Sequence, residues 1–279
     1  METAVELSGV GFFYGEHDIE DPDETTRVFS DVSVKLPAGM LSIVGRNGIG
    51  KSTLLLLAGA RLFPQQGSVT ILGTDTRKFF QAQTDPQIEQ DRNRFVSFVY
   101  QNMEFETTES VGDLMRFAYE NGFHENPAEE FLARIRSELE MDPFLAKRTG
   151  DLSKGQLQRA IIAFSLLYGS RIIMLDEPVF ALEEPQKDRV FRFLLELSRE
   201  LSLPIFYSVH NLDLSQKYAD YVLLFTETGR FTIGPSEQIF TREHLEEAYL
   251  APMDTLYRRD QLYREMLLHN GRENDDHDA

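Results

Sequence analysis

The sequence predicts an α/β fold in one large domain, and three observations carry that prediction. "MLSIVGRNGIGKSTLLLLAGA" (40–60) reads as strand, glycine loop and helix. "RIIMLDEP" (171–178) is an apolar strand that ends in two acids. Around both, short apolar runs alternate with helical stretches over 279 residues, ample length for a sizeable core.

The elements follow in order. "TAVELSGVGFFY" (3–14) and "VFSDVSVKLPAG" (28–39) read as edge strands, the second ending in a Pro-Ala-Gly turn. "SVTILG" (68–73) and "FVSFVYQ" (95–101) are further strands. The period then changes. Val111, Leu114, Met115 and Ala118 lie on one helical face, with Ser110 and Asp113 as a capping box. Phe131, Leu132, Ile135 and Leu139 mark a second helix, and the block 104–150 reads as helical throughout. Strands resume at 171–175, 204–209 and 221–225, with a helix over about 186–202. "TGRFTIG" (228–234) suggests a terminal hairpin, and 241–269 reads as helical before an acidic tail. No internal repeat is visible.

Composition bounds the function. The net charge of −18 disfavours nucleic acid and anionic lipid as direct partners. With no cysteine, disulfides and thiolate metal sites are excluded. No apolar run approaches the ~20 residues that span a bilayer. The first residues show no basic segment followed by an apolar one, so a cytosolic location is expected. The acids of 16–24 and of the C-terminal "GRENDDHDA" read as solvated loop and tail.

The glycine loop carries chemistry. Gly45, Gly50, Lys51 and Ser52 complete G-x-x-x-x-G-K-[ST]. Glycines let backbone N–H groups approach an anion, and the following helix aims its positive end at the same point. Lys51 is expected to reach the outer phosphates, and the Ser52 hydroxyl to ligate Mg²⁺. At the end of "RIIML", Asp176 would hold Mg²⁺ through water, and Glu177 could accept a proton from an attacking water. "LSKGQLQRA" (152–160) sets Ser153 at a helix start, where a hydroxyl and helix N-terminus suit a γ-phosphate.

Together these three elements resemble ATP-binding cassette (ABC) ATPases over nearly the whole chain. In that resemblance "GRNGIGKST" is the Walker A loop, so Arg46, Asn47, Gly48, Ile49 and Thr53 join the ATP site. "LSKGQ" is the signature, Ser153, Lys154, Gly155 and Gln156, with Lys154 where the family usually has glycine. Gln101 in "FVYQN", His210 in "YSVHN" and Tyr14 in "VGFFY" match the Q-loop glutamine, the switch histidine and the adenine-stacking aromatic. The resemblance implies a P-loop NTPase core with a mixed sheet, an N-terminal antiparallel β subdomain and an inserted helical subdomain of about 104–160. The ATPase unit would span 1–269, and 270–279 would be a disordered acidic tail. Two copies would pair head to tail, each ATP lying between one Walker A loop and the other chain's signature. Glu177, His210 and Gln101 would be the catalytic residues, with Gln101 also linking Mg²⁺ to a membrane permease. Hydrolysis would separate the pair, and the chain would sit peripherally on the inner face of the cell membrane.

A narrower resemblance lies in "SVHNLDLSQKYADYVLLF" and "GPSEQIFTREHLEEAYLAP", which are similar to ATPase subunits of importers for iron-siderophores, haem and cobalamin. Two other classes compete: a single-cassette ATPase of iron–sulfur cluster assembly, and a nucleotide-binding regulator without turnover. Phe180 and Glu183, in "VFALEEP", depart from the family's usual serine and aspartate, and Thr74 to Arg94 is longer than usual.

Overall fold

The computed structural model describes residues 2–15, 26–124, 129–253 and 255–256. The acidic stretch 16–24, the tail 270–279 and residues 257–269 of the expected last helix lie outside them.

β1 (Thr3–Tyr14) and β2 (Thr26–Pro37) form a long antiparallel pair. β3 (Met40–Val44) then leads through the glycine loop into α1 (Lys51–Ala58). β4 (Gln66–Ile71) and β5 (Thr74–Asp75) complete an antiparallel sheet in the order β2-β1-β4-β5. β1 is therefore an interior strand, contrary to the edge position its sequence suggests: Leu7 pairs with Val34 on one side and Val69 on the other. The long stretch before β6 folds into a short 3₁₀ turn and α2 (Pro86–Phe95). Proline in its first turn and the Asp85 side chain, accepting from Gln87 N–H at 2.9 Å, start that helix.

The second sheet is built from β6 (Val96–Val99), β7 (Ile172–Asp176), β8 (Ile205–Ser208), β9 (Tyr221–Glu227) and β10 (Arg230–Pro235), with β3 inserted. Its order is β10-β9-β3-β8-β7-β6. All neighbours are parallel except the β9–β10 hairpin, so the sheet is mixed. Both faces are covered, which is why β3, β7 and β8 are apolar without alternation. Met40, Val44, Leu175 and Tyr207 face one core, which holds α5 (Lys154–Leu167) and α6 (Glu184–Leu201). Leu41, Ile43, Met174 and Phe206 face the other, shared with α1 and the N-terminal sheet.

The block 104–150 is less helical than its sequence suggests. α3 (Val111–Glu120) and α4 (Glu129–Glu138) form as the periodicity requires. Residues 102–109 do not, and an isolated bridge joins Ser110 to Arg148. Ser110 caps α3 by accepting from Asp113 N–H (3.2 Å), but the Asp113 carboxylate accepts the Ser110 hydroxyl (2.6 Å) in place of the reciprocal backbone bond. The full capping box forms instead at Ser153 and Gln156, ahead of α5.

α7 (Leu212–Tyr218), α8 (Ser236–Ile239) and α9 (Arg242–Tyr249) close the first of these cores with Leu212, Ile239 and Leu245. The expected continuous helix from 241 is broken. Leu250 takes a left-handed conformation (φ 53°), and Pro252 follows two residues later.

Candidate nucleotide site

Parallel pairing brings the C-terminal ends of β3, β6, β7 and β8 to one edge of the sheet, the side on which open α/β sheets bind ligands. The loop 45–50 leaves β3 there. Gly50 caps α1 with φ 110°, a conformation open to glycine at little cost. Ile49 is buried in the core and anchors the loop, while Asn47 and Gly48 lie at its tip, Asn47 exposed. The Arg46 guanidinium reaches the Thr226 carbonyl at 3.4 Å.

Lys51 is buried, and its ammonium donates to the carbonyls of Gly45 (2.9 Å) and Arg46 (3.1 Å). Burial lowers its pKa from the ordinary 10.5, and the charges of Glu177 and Asp176 partly restore it. The lysine of the loop therefore lies within the field of both acids at the end of β7. Ser52 stands in the first turn of α1. Thr53 is buried, with its hydroxyl 3.1 Å from the Tyr14 phenol. Tyr14 itself is half-exposed at the end of β1, with Phe12 edge-on at 4.9 Å.

Asp176 is buried and accepts a 2.5 Å hydrogen bond from the Ser208 hydroxyl. The same hydroxyl accepts from Glu177 N–H at 3.1 Å. Glu177 has φ 50°, and its carboxylate is held from two sides. Oε1 is 2.5 Å from His210 Nε2, and Oε2 accepts from the Gln101 amide at 2.8 Å. The structure thus brings Lys51, Asp176, Glu177, His210 and Gln101 together. Ser153, Lys154, Gly155 and Gln156 form the first turn of α5 and its cap, and Gly155 packs against the segment after Glu177. A Cβ on Gly155 would come 3.0 Å from the Ala181 carbonyl oxygen, so a side chain there would have to push that carbonyl back by a few tenths of an ångström.

The donor set suits a hard divalent cation that arrives with phosphates. Asp176, Ser52 and Gln101 offer one carboxylate, one hydroxyl and one amide oxygen. No group of three His, Cys, Asp or Glu that could hold a metal alone exists among the described residues. Mg²⁺ binds in this manner, through one or two carboxylates completed by phosphate and water.

Two residues of this site were not legible from its motifs. Ser208 sits in the apolar run "PIFYSV", and only the β7–β8 register, Asp176 opposite Ser208, gives it a role. Gln158, inside "LSKGQLQRA", bonds the Glu177 carbonyl and the Ala181 N–H, and nothing local in sequence marks that role.

Residues 29–180, more than half of the chain, match the ABC transporter family. Among curated proteins, the molybdenum import ATP-binding protein ModC of Vibrio cholerae is 28% identical over 212 residues, 76% of this chain and 56% of that protein. The chain thus spans about half the length of the ModC proteins it matches. The phosphonates import ATP-binding protein PhnC of Maricaulis maris is 26% identical over 83% of this chain and 91% of its own. Among solved structures, an ATP-binding subunit of an ABC transporter superposes with TM-score 0.70 at 21% identity, covering 92% of this chain and 99% of that one. A dimeric ATP-binding cassette with ADP and Pi bound, in a post-hydrolysis state, gives 0.69 at 21% identity over 83% and 98%. With the phosphate loop, the paired acids and the sheet that joins them in place, the chain belongs to the ABC transporter family.

Proposed function

We propose that the chain binds and hydrolyses ATP as the nucleotide-binding subunit of a membrane importer. One observation carries this reading: the Glu177 carboxylate, fixed between His210 and Gln101, stands at the same sheet edge as the buried Lys51. The N–H groups of Arg46 to Thr53 and the Lys51 ammonium bind the phosphates, exchanging two backbone carbonyls for phosphate oxygens. Tyr14 stacks on adenine. Ser52, Asp176 and Gln101 hold Mg²⁺, which would neutralise charge on the outer phosphates. Glu177 takes the proton of the attacking water, and His210 contacts the γ-phosphate. Gln101 donates to Glu177 through its amide nitrogen, which leaves its amide oxygen as the atom that would face the metal, and the segment that follows it would sense nucleotide occupancy.

Two copies pair head to tail, the Ser153–Gln156 turn of one closing on the nucleotide of the other. The dimeric cassette among the structural neighbours supports this. The ATPase unit would be 1–269, with about 104–160 as its inserted subdomain. Beyond Gln101 lies an apolar hollow of about 300 Å³ between β6 and α3, lined by Val99, Met103, Phe105, Leu114, Phe117 and Phe164. Phe117 is 64% exposed. This surface suits a permease segment, and through that partner the chain would sit at the inner face of the membrane. No helix among the described residues is long and apolar enough to cross a membrane. The net charge of −18 argues against nucleic acid as a partner.

The import role is supported by the curated relatives, whose names specify import of molybdenum, HMP/thiamine and phosphonates. For cargo, the C-terminal motif resembles that of importers of iron complexes, haem or cobalamin, a class that none of these relatives' names specifies. The enzymatic reading is tested by steady-state hydrolysis. Glu177→Gln keeps shape but not basicity, and kcat is expected to fall roughly 10²-fold or more with ATP still bound. Near-normal turnover in that variant would contradict the assignment.

A further inference from the structure

Gln158 takes no part in the chemistry above. It lies in the second turn of α5, and its amide makes two hydrogen bonds of opposite sense. Nε2 donates to the Glu177 carbonyl at 3.3 Å, and Oε1 accepts from the Ala181 N–H at 2.9 Å. The two bonds bracket residues 177–181 at both ends. One turn earlier on the same helix face, Gly155 lies against the Ala181 carbonyl, and Leu182 covers the same position. The start of α5 and the segment after Glu177 are therefore one packed unit within the chain.

That unit acts on a residue held in an unfavourable backbone conformation. Glu177 has φ 50°, which side chains adopt only when their surroundings enforce it. Its N–H is held by the Ser208 carbonyl (3.2 Å) and hydroxyl (3.1 Å), and its carbonyl by Gln158. Both flanking peptide groups of Glu177 are thus fixed, and with them the direction of its carboxylate toward His210 and Gln101.

We propose that Gln158 is a positioning residue for Glu177: it holds the backbone that aims the carboxylate, and it links that aim to the Ser153–Gln156 turn. The proposal rests on Glu177 being the proton acceptor. Gln158 acts through the Glu177 carbonyl and touches no reacting atom. A shift of the α5 N-terminus would carry the Gln158 amide with it and so turn Glu177, which makes the first turn of α5 a control on hydrolysis in its own chain.

Two substitutions test this. Gln158→Ala removes both bonds. Gln158→Glu keeps the acceptor for Ala181 N–H but sets a charged oxygen against the Glu177 carbonyl, so it turns the contact that aims Glu177 from attractive to repulsive. In the full chain, kcat, KM for ATP, nucleotide affinity and the thermal midpoint are measured for each, alone and combined with Glu177→Gln. Loss of the donor is expected to lower kcat roughly 10-fold in both variants, with nucleotide affinity changed by less than about 2-fold. Nucleotide affinity within about 2-fold of the parent shows that a variant is folded, and Gln158→Glu decides the matter if Gln158→Ala folds poorly. In the Glu177→Gln background, adding Gln158→Ala is expected to leave the residual single-turnover rate unchanged. Multiplication of the two effects would show a general structural role and overturn the proposal. If Glu177→Gln abolishes turnover while both Gln158 variants keep full kcat, the positioning role alone falls. If Glu177→Gln turns over normally, the proton-acceptor reading falls and this proposal with it.

Discussion

Replacing Ser208 by alanine removes one oxygen from the centre of the site. Ser208 is fully buried at the end of β8, in register with Asp176 on β7. Its hydroxyl donates to Asp176 Oδ1 at 2.5 Å and accepts from Glu177 N–H at 3.1 Å. A hydrogen bond from a hydroxyl to a buried carboxylate contributes about 1.5–3 kcal/mol, because its loss leaves the carboxylate without that donor. The second loss is small, since Glu177 N–H keeps the Ser208 carbonyl at 3.2 Å. Alanine occupies almost the same volume, so no cavity adds to the cost. The total is about 2–3 kcal/mol, and at roughly 2–4 °C per kcal/mol for a chain of this size the thermal midpoint should fall by ~5–10 °C. Asp176 also loses the partner that orients it, so half-saturation of nucleotide binding by Mg²⁺ should need ~10-fold more metal. Thermal unfolding followed by circular dichroism, and a Mg²⁺ titration with a fluorescent nucleotide, read the two effects. A midpoint within about 1 °C of the parent and an unchanged Mg²⁺ requirement would refute the reasoning, because a removed buried charge-assisted bond cannot be silent in both.

Three further outcomes are expected. Burial lowers the pKa of Lys51 below the ordinary 10.5, so its charge is lost at a lower pH than that of an exposed lysine. The bound triphosphate favours the protonated form, so nucleotide affinity should fall as pH rises through that lowered value, and it should be flat and weak in Lys51→Met. A wild-type profile parallel to that of Lys51→Met would contradict this. Tyr14→Ala should weaken ATP binding several-fold through lost stacking, on the order of 1 kcal/mol. The sequence alone suggests that Tyr14→Phe is silent, but the 3.1 Å contact with Thr53 implies a loss of ~2–5-fold there too. If equilibrium binding is unchanged in both, Phe13 is the next candidate platform, since Phe12 is buried in the core. Finally, Phe180 is exposed, and Glu183 precedes α6 without capping it. If the ring holds this segment outward and the longer acid restores reach, Phe180→Ser and Glu183→Asp should each lower kcat and together recover it, with a coupling above ~0.5 kcal/mol. Additive effects on log kcat would mean that the segment is merely tolerant.

Much of the site was legible because its chemistry is local in sequence. The loop 45–53 and the acids after β7 are contiguous motifs, and each strand–loop–helix order follows from apolar periodicity. What escaped depends on pairing between distant segments. β1 reads as an edge because nothing within 3–14 announces β4, more than fifty residues on, as its second neighbour. Ser208 becomes meaningful only once β7 and β8 are aligned. Gln158 becomes meaningful only when α5 is laid against residues 177–181, and the Tyr14 hydroxyl only when β1 reaches α1. The block 104–150 was overread as helix because its apolar spacing marks α3 and α4 correctly but says nothing of the segments that join them. Leu250 likewise ends α9 through a backbone conformation that composition does not reveal.

The claim that the phosphate loop of one chain and the signature turn of another enclose the same nucleotide is tested most directly by the mass of Glu177→Gln in solution. Light scattering on the purified variant, with and without Mg-ATP, should give the monomer mass without nucleotide and twice that mass with it. Reversion to monomer should follow when Lys51→Ala is added. A monomer mass at saturating Mg-ATP, with nucleotide demonstrably bound, would contradict the account.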